Sequence, residues 1–342
     1  MEITSNAAGT IPDTHLARVF PPRKGHPAWG VSGPASVIKA WGGAAYDSKR
    51  RRLILAGGGH TDYGGNEVYA FALDRLDWRR LTEPSALDAE DNTTDGTPVA
   101  RHTYDGMEYH PGLDRVLMFG GSLYRDGAAR DSAIWHFHPG PALWQPGAQA
   151  PLTGWPAAAV DPRTGHYFVH VQYSLLEYRP VDNRWIRRSP REDHVGEGAA
   201  AIDPVGNRFY LLASGKLWYY SLDRLVTLYR HRADSFGDTG VERRRGAGLD
   251  YDPVHRRLVA WDGGRAVWSL DPVALEWIRH PNADGPAPVG TIVRYGKRHP
   301  ISNGVFGRWR YVPGADVFIG VNSAHDNVWV YRMPDLGTDG TN

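Results

Sequence analysis

The chain has 342 residues and no cysteine, which excludes disulfides, thiolate metal sites and cysteine nucleophiles. Lys and Arg number 39 against 38 for Asp and Glu, so the net charge of +1 provides no overall attraction to nucleic acid or to an anionic membrane. The 40 glycines and 25 prolines favour turns, and the 13 tryptophans favour strands, so the composition predicts many short strands. No run of about 18 apolar residues could span a bilayer, and residues 1–10 lack the pattern of an export signal. We expect a secreted or periplasmic protein whose signal has been removed.

The predicted elements repeat along the chain. Residues 41–81 contain a small-residue strand ending in Tyr-Asp, an apolar strand ending in glycines, an aromatic strand and a strand with a tryptophan. The same order recurs, and one anchor residue near the end of each first strand marks the six copies: Tyr46, Tyr109, Val160, Ile202, Tyr251 and Tyr311. Four strands in a repeat of about 40 residues are typical of one blade of a β-propeller.

The sequence therefore predicts an all-β fold, a single β-propeller domain over residues 1–342 with six four-stranded blades and seven blades as the alternative. The predicted blades cover approximately residues 36–82, 101–148, 152–190, 194–232, 243–282 and 303–335. The outer strands carry tryptophans that we expect to pack between blades, namely Trp78, Trp144, Trp185 and Trp277. The sixth copy lacks a fourth strand, and the alternating segment Thr14–Phe20 is predicted to close the ring at that edge.

Several glycine motifs resemble known propellers. The double glycines after the second strands (Gly57-Gly58, Gly120-Gly121 and Gly263-Gly264) and the tryptophans of the fourth strands resemble kelch repeats of the galactose-oxidase type, over nearly the whole chain. This resemblance implies a kelch-type propeller, a fold that hosts enzymes, lectins and scaffolds alike. The runs Gly57–Phe71 and Arg101–Tyr109 are similar to bacterial kelch-type propellers associated with polysaccharide lyases, including the seven-bladed ulvan lyases.

The topology of a propeller indicates which face carries a site. The starts of the inner strands and the loops between second and third strands meet on one face near the central axis. Eight positions before the anchor residues, the chain has Ile38, Arg101, Leu152, His194, Arg243 and Asn303. The next positions and the loops add further basic, amide and aromatic residues, among them Lys39, His60, Asn66, His102, Tyr173, Arg245 and His325. The sequence therefore predicts a cationic pore mouth that attracts an anion.

The residue types at this mouth suggest an acidic sugar polymer. Arginine binds carboxylate and sulfate groups through paired hydrogen bonds, and Trp41 and the predicted mouth aromatics can stack on sugar rings. We expect an anionic polysaccharide or oligosaccharide as partner, neither nucleic acid nor membrane, and a monomeric protein. On a uronate glycan the reaction would be β-elimination, in which a cation neutralises the carboxylate, a base removes the C5 proton and an acid protonates O4.

The resemblance and the residue types at the mouth predict a role for each candidate residue. The predicted catalytic residues are His60, Tyr63, His102 and Arg243, with the two histidines as the proton-handling pair and Tyr63 as their hydroxyl partner. The predicted substrate-binding residues are Lys39, Asn66, Arg101, Tyr104, Trp155, Tyr173, His194, Arg245, Asn303 and His325.

Other functions stay open at this point. Hydrolysis requires paired carboxylates, whereas the candidates at the mouth are scattered over different repeats, namely Asp62, Asp105, Glu197, Glu242 and Asp326. Copper oxidase chemistry of the galactose-oxidase type fails for lack of cysteine. We expect the lyase to require no cofactor. The alternative is a structural or catalytic divalent metal, for which converging histidines would suit zinc or manganese, and calcium is the third candidate. An acidic-sugar epimerase and a non-catalytic glycan-binding propeller are the alternatives.

Overall fold

Each sequence repeat folds into one antiparallel blade, and the computed structural model assembles six blades into a propeller ring. It describes residues 8–24, 26, 28–125, 131–224, 226–281, 291–294, 297–300 and 303–335. The predicted all-β class and the count of six blades are confirmed. Each anchor residue lies within the last two positions of an inner strand, so the repeat register was correct.

The first three blades run from inner to outer strand in chain order. Blade 1 consists of Gly43–Asp47, Arg52–Ala56, Tyr69–Ala72 and Asp77–Arg80. Blade 2 consists of Met107–His110, Arg115–Met118, Ala133–His138 and Leu143–Gln149. Blade 3 consists of Pro156–Val160, Tyr167–Val171, Ser174–Arg179 and Arg184–Arg187.

The other three blades follow the same plan with changes at the outer edge. Blade 4 consists of Gly198–Asp203, Arg208–Ala213, Lys216–Ser221 and the short strand His231–Arg232. Blade 5 consists of Gly248–Asp252, Arg257–Trp261, Ala266–Asp271 and Glu276–Pro281, and Phe236–Gly237 pairs in parallel with its outer strand. Blade 6 consists of Trp309–Val312, Val317–Gly320, Val328–Tyr331 and the N-terminal strand Ala8–Ile11.

The N-terminal strand closes the ring, but it is not the predicted segment. Ala8–Ile11 pairs antiparallel with Val328–Tyr331, from Ala8 opposite Tyr331 to Ile11 opposite Val328. The prediction of a strand over residues 14–20 is wrong, since these residues include the 3-10 helix Leu16–Val19. The chain turns at Asp13, whose φ is 63°, and the Thr14 hydroxyl accepts the Val328 N–H at 2.9 Å, which ends the strand pairing.

The tryptophans of the outer strands pack between blades as predicted. Trp78 is 6% exposed and joins Leu16 and Val312 in the apolar cluster between blades 1 and 6. Trp277 is 1% exposed and packs with residues of blades 4 and 5. Trp144 and Trp185 are half-buried against the clusters on either side of blade 2. These contacts bury the faces of adjacent sheets, which stabilises the ring through removal of apolar surface from water.

The remaining described elements are short. Arg101–His102 pairs with Ser122–Leu123, and Thr291–Arg294 pairs with Lys297–Pro300. The helical segments are Leu16–Val19, Gly33–Ala35, Ser36–Lys39, Thr239–Arg243 and Phe306–Arg308. In the part of the chain that the structure describes, no helix has the length and apolar character needed to cross a membrane.

Candidate functional site

Two histidines meet where the glycine-rich loop of blade 1 reaches the start of blade 2. The loop residue His60 donates its backbone N–H to Leu123 at 2.8 Å, and His102 pairs with Ser122 on the same short strand. A glycine is required at position 59, because a Cβ there would lie 2.4 Å from the backbone nitrogen of His102. This close approach of two backbones brings the imidazole of His60 beside that of His102.

The two imidazoles differ in exposure and in partners. Their ring centroids lie 6.0 Å apart with perpendicular planes, and His60 is exposed whereas His102 is 2% exposed. Nε2 of His102 lies 3.2 Å from Oδ2 of Asp62, and the Ser32 hydroxyl donates to Oδ1 of Asp62 at 3.0 Å. His60 is therefore the imidazole that a ligand can reach, and His102 is the one whose orientation is fixed.

Asp62 is ionised at neutral pH. Burial alone raises the pKa of this carboxyl, but the hydrogen bonds from His102 and Ser32 and the charge of Lys39 outweigh it, and the pKa lies below its ordinary value. Because an ionised carboxylate has no proton to donate, Nε2 of His102 donates to it. The pair thus holds His102 in one tautomer, as an aspartate does for a catalytic histidine.

An indole and a carboxylate bridge the centre of the face. Trp41 stacks on His102 with centroids 4.9 Å apart, and its Nε1 donates to Glu197 of the fourth repeat at 3.0 Å. Both guanidinium nitrogens Nε and Nη2 of Arg245 donate to the same carboxylate at 2.9 Å. Blade 1 is therefore linked across the mouth to the segments that precede blades 4 and 5.

A row of rings continues from this centre toward blade 3. Tyr104 lies 6.2 Å from Trp155, Trp155 lies 6.4 Å from His194, and His194 lies 5.1 Å from Tyr173, measured between ring centroids. The guanidinium of Arg191 lies 3.8 Å above the ring of Tyr173. We call the four residues Trp155, His194, Tyr173 and Arg191 the aromatic row. Its members are half-buried or exposed, so the row forms an accessible surface.

A cavity of about 330 Å³ opens beside Trp155. Its wall includes three consecutive basic residues, Arg243, Arg244 and Arg245. Arg244 pairs with Asp262 at 3.3 Å and Arg245 with Glu197, whereas the described residues show no ion pair for the exposed Arg243. We call this space the arginine cavity. An anion that entered it would meet a cation not yet neutralised by a carboxylate.

Several predicted site residues lie together on this face. The histidine pair, the aromatic row and the arginine cavity contain seven of them, namely His60, His102, Trp155, Tyr173, His194, Arg243 and Arg245.

Two segments predicted to begin inner strands are helical instead. Arg243 ends the helical segment Thr239–Arg243, and Gly246 with a φ of 67° separates it from the inner strand Gly248–Asp252. Residues 36–39, likewise predicted to begin an inner strand, form the short helix Ser36–Lys39.

Three predicted site residues are buried and hold the scaffold. Tyr63 is fully buried, and its hydroxyl lies 2.6 Å from Glu67 and 2.8 Å from Nε2 of His26, so it cannot partner the histidine pair. Arg101 is 1% exposed and pairs with Asp131 at 2.7 Å. Asn66 bonds to a loop of blade 1 through Ser85, Thr97 and Pro98. In each of these three residues, the polar group that was expected to bind a ligand makes its hydrogen bonds or ion pair within the protein.

The other predicted binders lie at the margins of the site. Tyr104 is 3% exposed, with its hydroxyl 3.4 Å from the Ser122 hydroxyl, and it supports the row from below. Lys39 and Asn303 are half-buried and joined by a backbone hydrogen bond of 2.8 Å. His325 is exposed, and its ring contacts Phe20 at 6.5 Å, away from the histidine pair.

Sequence reasoning missed some residues and one metal-type cluster. Glu197 and Asp62 were considered only as scattered acids, although Asp62 lies two positions after His60 in the same glycine-rich loop, which was a usable signal. Ser32 and Arg191 gave no signal. Among the described residues, the His/Asp/Glu group with metal-like spacing is Asp252, His255 and Asp316, on turns of the opposite face. The candidate histidines do not form such a group.

Comparison with known proteins adds no family. The chain matches no protein-family model, and no curated protein is significantly similar to it.

Proposed function

We propose that this propeller is a polysaccharide lyase that cleaves a uronic-acid-containing glycan by β-elimination at the mouth described above. The observation that carries the proposal is the arginine cavity with Trp155 as one wall, which is connected to the exposed His60 by successive ring contacts through Tyr104 and His102. A stacking ring and an unpaired guanidinium are the two features that recognise an acidic sugar. The resemblance to kelch-type propellers, carried by glycine pairs such as Gly57-Gly58, agrees with this proposal.

In the proposed reaction, Arg243 binds the uronate carboxylate and neutralises its negative charge, which makes the C5 proton more acidic. His60 removes that proton, since it is the exposed imidazole of the pair. The C4–O4 bond breaks as the C4–C5 double bond forms, and O4 takes up a proton, whose delivery we assign to protonated His60. Asp62 fixes the orientation of His102, whose ring contacts that of His60, and we assign neither of them a contact with the sugar.

A second candidate is a non-catalytic glycan-binding propeller. It is favoured by the aromatic row, which extends from Trp155 to Arg191 on the side away from His60. A row of this kind would bind several sugar units whether or not a proton is transferred.

The test is incubation of the protein with a panel of uronate-containing glycans while the absorbance of the unsaturated uronate product is recorded. Formation of that product by wild type and its loss in His60→Ala support the lyase. The matched control is His231→Ala, which removes an exposed histidine of blade 4 that stacks on Tyr219. Binding without product supports the second candidate, and exchange of the C5 proton with solvent deuterium without cleavage indicates an epimerase.

A further inference from the structure

The opposite end of the central channel holds a cavity of about 700 Å³. Its wall includes all six anchor residues, four of which are the tyrosines Tyr46, Tyr109, Tyr251 and Tyr311, and prolines from the turns that follow the inner strands. The hydroxyls of Tyr109 and Tyr311 each bond at 3.0 Å to an aspartate five residues later. We call this space the lower cavity. It is separate from the proposed glycan site, because it lies on the other face of the ring.

The sequence register explains why this space exists. One position before each anchor residue, the six inner strands carry Ala45, Glu108, Ala159, Ala201, Asp250 and Arg310. Blades 3 and 4 therefore contribute only methyl groups at this level, and Ala159 and Ala201 both line the lower cavity. Blades 2, 5 and 6 contribute the charged groups Glu108, Asp250 and Arg310, which also line the lower cavity.

The charges at the inner end of the lower cavity do not balance. Nη1 of Arg310 lies 2.7 Å from Glu108, and its Nη2 lies 3.2 Å from Asp105, deeper in the channel. Asp250 accepts backbone N–H groups of Tyr251 and Tyr311 at 2.8 Å, and among the described residues the positive charge that acts on it is that of Arg310. Three carboxyl groups thus surround one guanidinium.

The other ionisable groups around the lower cavity do not correct this imbalance. Asp161 and Arg163 neutralise each other at 3.2 Å. His110 receives the Leu113 N–H and lies 2.9 Å from the Gly165 carbonyl, and burial lowers its pKa, so it is neutral at pH 7. The four tyrosines are neutral at that pH. The lower cavity therefore combines an apolar wall with an excess of carboxyl groups.

The geometry points to a second ligand site: the lower cavity binds a small organic ammonium ion, with its apolar body against the tyrosines and prolines and its charge toward Glu108 and Asp250. A cation is selected because it balances the carboxyl groups left over by Arg310, and a cavity of this size admits a drug-sized molecule. Burial raises the pKa of Glu108 and of Asp250, so without a ligand protons supply the missing charge. Binding of the ammonium ion then releases protons, and affinity rises with pH until the amine itself loses its proton.

The probes are benzylammonium, its neutral analogue benzyl alcohol, and benzoate, titrated by calorimetry into the full chain in buffers of different ionisation enthalpy. We expect benzylammonium to bind with proton release to the buffer and the other two to bind at least about tenfold more weakly. Glu108→Gln keeps the shape and should remove about tenfold or more of the affinity together with much of the proton release. Glu276→Gln, on the exposed outer strand of blade 5, is the matched control.

A second variant tests whether binding requires the open volume of the lower cavity, with its charged residues unchanged. Ala159→Leu fills the lower cavity while leaving Glu108, Asp250 and Arg310 in place, and it should abolish binding if its melting profile shows a folded protein. Equal binding of benzylammonium and benzyl alcohol, or unchanged binding in Glu108→Gln and Ala159→Leu, would overturn the proposal. Neither outcome bears on glycan cleavage, which takes place on the other face.

Discussion

Arg310 and Asp105 form a buried ion pair across the central channel, with Nη2 of the arginine 3.2 Å from Oδ1 of the aspartate. Arg310 also donates to the backbone carbonyls of Ala44 in blade 1 and Met107 in blade 2, at 3.1 and 2.9 Å. Asp105 accepts the backbone N–H of Ala200 in blade 4 at 2.7 Å. Asp105 also accepts the backbone N–H of Ala158 in blade 3 at 3.4 Å. One pair of side chains therefore links the inner strands of five blades, counting blade 6, which carries Arg310.

Arg310→Met should strongly destabilise the ring. The variant leaves the carboxyls of Asp105 and Glu108 buried without their cation, a change that costs roughly 3–5 kcal/mol in folding free energy. Denaturant unfolding followed by tryptophan fluorescence measures the loss. Arg79→Ala, which breaks an exposed pair with Asp77 at 3.3 Å, is the control and should cost about 0–1 kcal/mol. If the two variants unfold alike, the ion pair does not hold the blades together.

The same carboxyls should make stability fall as pH rises. Burial raises the pKa of Asp105 and Glu108, so the folded state keeps protons that the unfolded chain releases above its ordinary carboxyl pKa of about 4. This contribution is complete at low pH and is lost as pH rises through the folded-state values. In Glu108→Gln one such group is gone, and the free energy of unfolding should fall less steeply with pH above about 4.

The comparison must be made as a difference from wild type. Burial lowers the pKa of histidines such as His170, and these groups change stability with pH in the opposite direction. The contributions of these histidines to the pH dependence are the same in each protein, so they cancel when Glu108→Gln is compared with wild type and with the exposed control Glu276→Gln. Parallel curves for all three proteins would show that Glu108 carries no raised pKa.

The fold was predictable because it repeats, whereas the closing strand does not. The anchor residues and the glycines after the second strands recur in every blade or nearly so, and they placed each anchor within the last two positions of its inner strand. The predicted starts of the inner strands were too early, since Ser36–Lys39 and Thr239–Arg243 are helical segments that precede those strands. The closing strand has no copy to compare with. Thr14–Phe20 alternates like a strand, yet Thr14 bonds to Val328 and Asn327 at the far end of the chain, and only the closed ring brings these together.

The face of the ring that carries the candidate site could be predicted from the sequence, but the direction of each side chain on that face could not. Arg101 and His102 are adjacent on one strand, so they point to opposite sides, and the sequence did not tell which side faces the ligand. Asp131, 30 residues later, pairs with Arg101 and turns it inward. His60 and Tyr63 lie in one loop, and here too one side chain is exposed and the other buried. The hydroxyl of Tyr63 bonds to Glu67 in the interior.

Removal of residues 1–11 should cost cooperativity of unfolding. The strand Ala8–Ile11 supplies the outer edge of blade 6, and without it Val328–Tyr331 has an unpaired edge that favours aggregation. Thermal unfolding and light scattering measure the effect. Removal of residues 1–7 retains all four strand pairs and is the control. A chain without residues 1–11 that melts as sharply and as late as this control would contradict the role of the strand.

Loss of the proton-handling group should abolish turnover without unfolding the protein. His60→Ala removes an exposed side chain and should lower turnover on the cleaved glycan by about 100-fold to 10,000-fold, the usual contribution of a general base. Asp62→Asn should lower it less, because it disturbs only the orientation of His102. His231→Ala is the control. Wild-type turnover in His60→Ala, with an unchanged melting profile, assigns the proton transfer to another residue.

Arg243 should determine both affinity for the glycan and its dependence on salt. Its guanidinium is exposed in the arginine cavity without an ion pair among the described residues, so the uronate carboxylate would be its partner. Arg243→Ala should therefore weaken binding, and it should also flatten the decrease of affinity with ionic strength, because one screened charge pair is lost. Arg245→Ala should have a smaller effect on affinity, since Glu197 already neutralises Arg245. Arg184→Ala, on the outer strand of blade 3, is the control for loss of an exposed positive charge. If Arg243→Ala and Arg184→Ala show the same affinity and the same salt dependence, the acidic group binds elsewhere on the face.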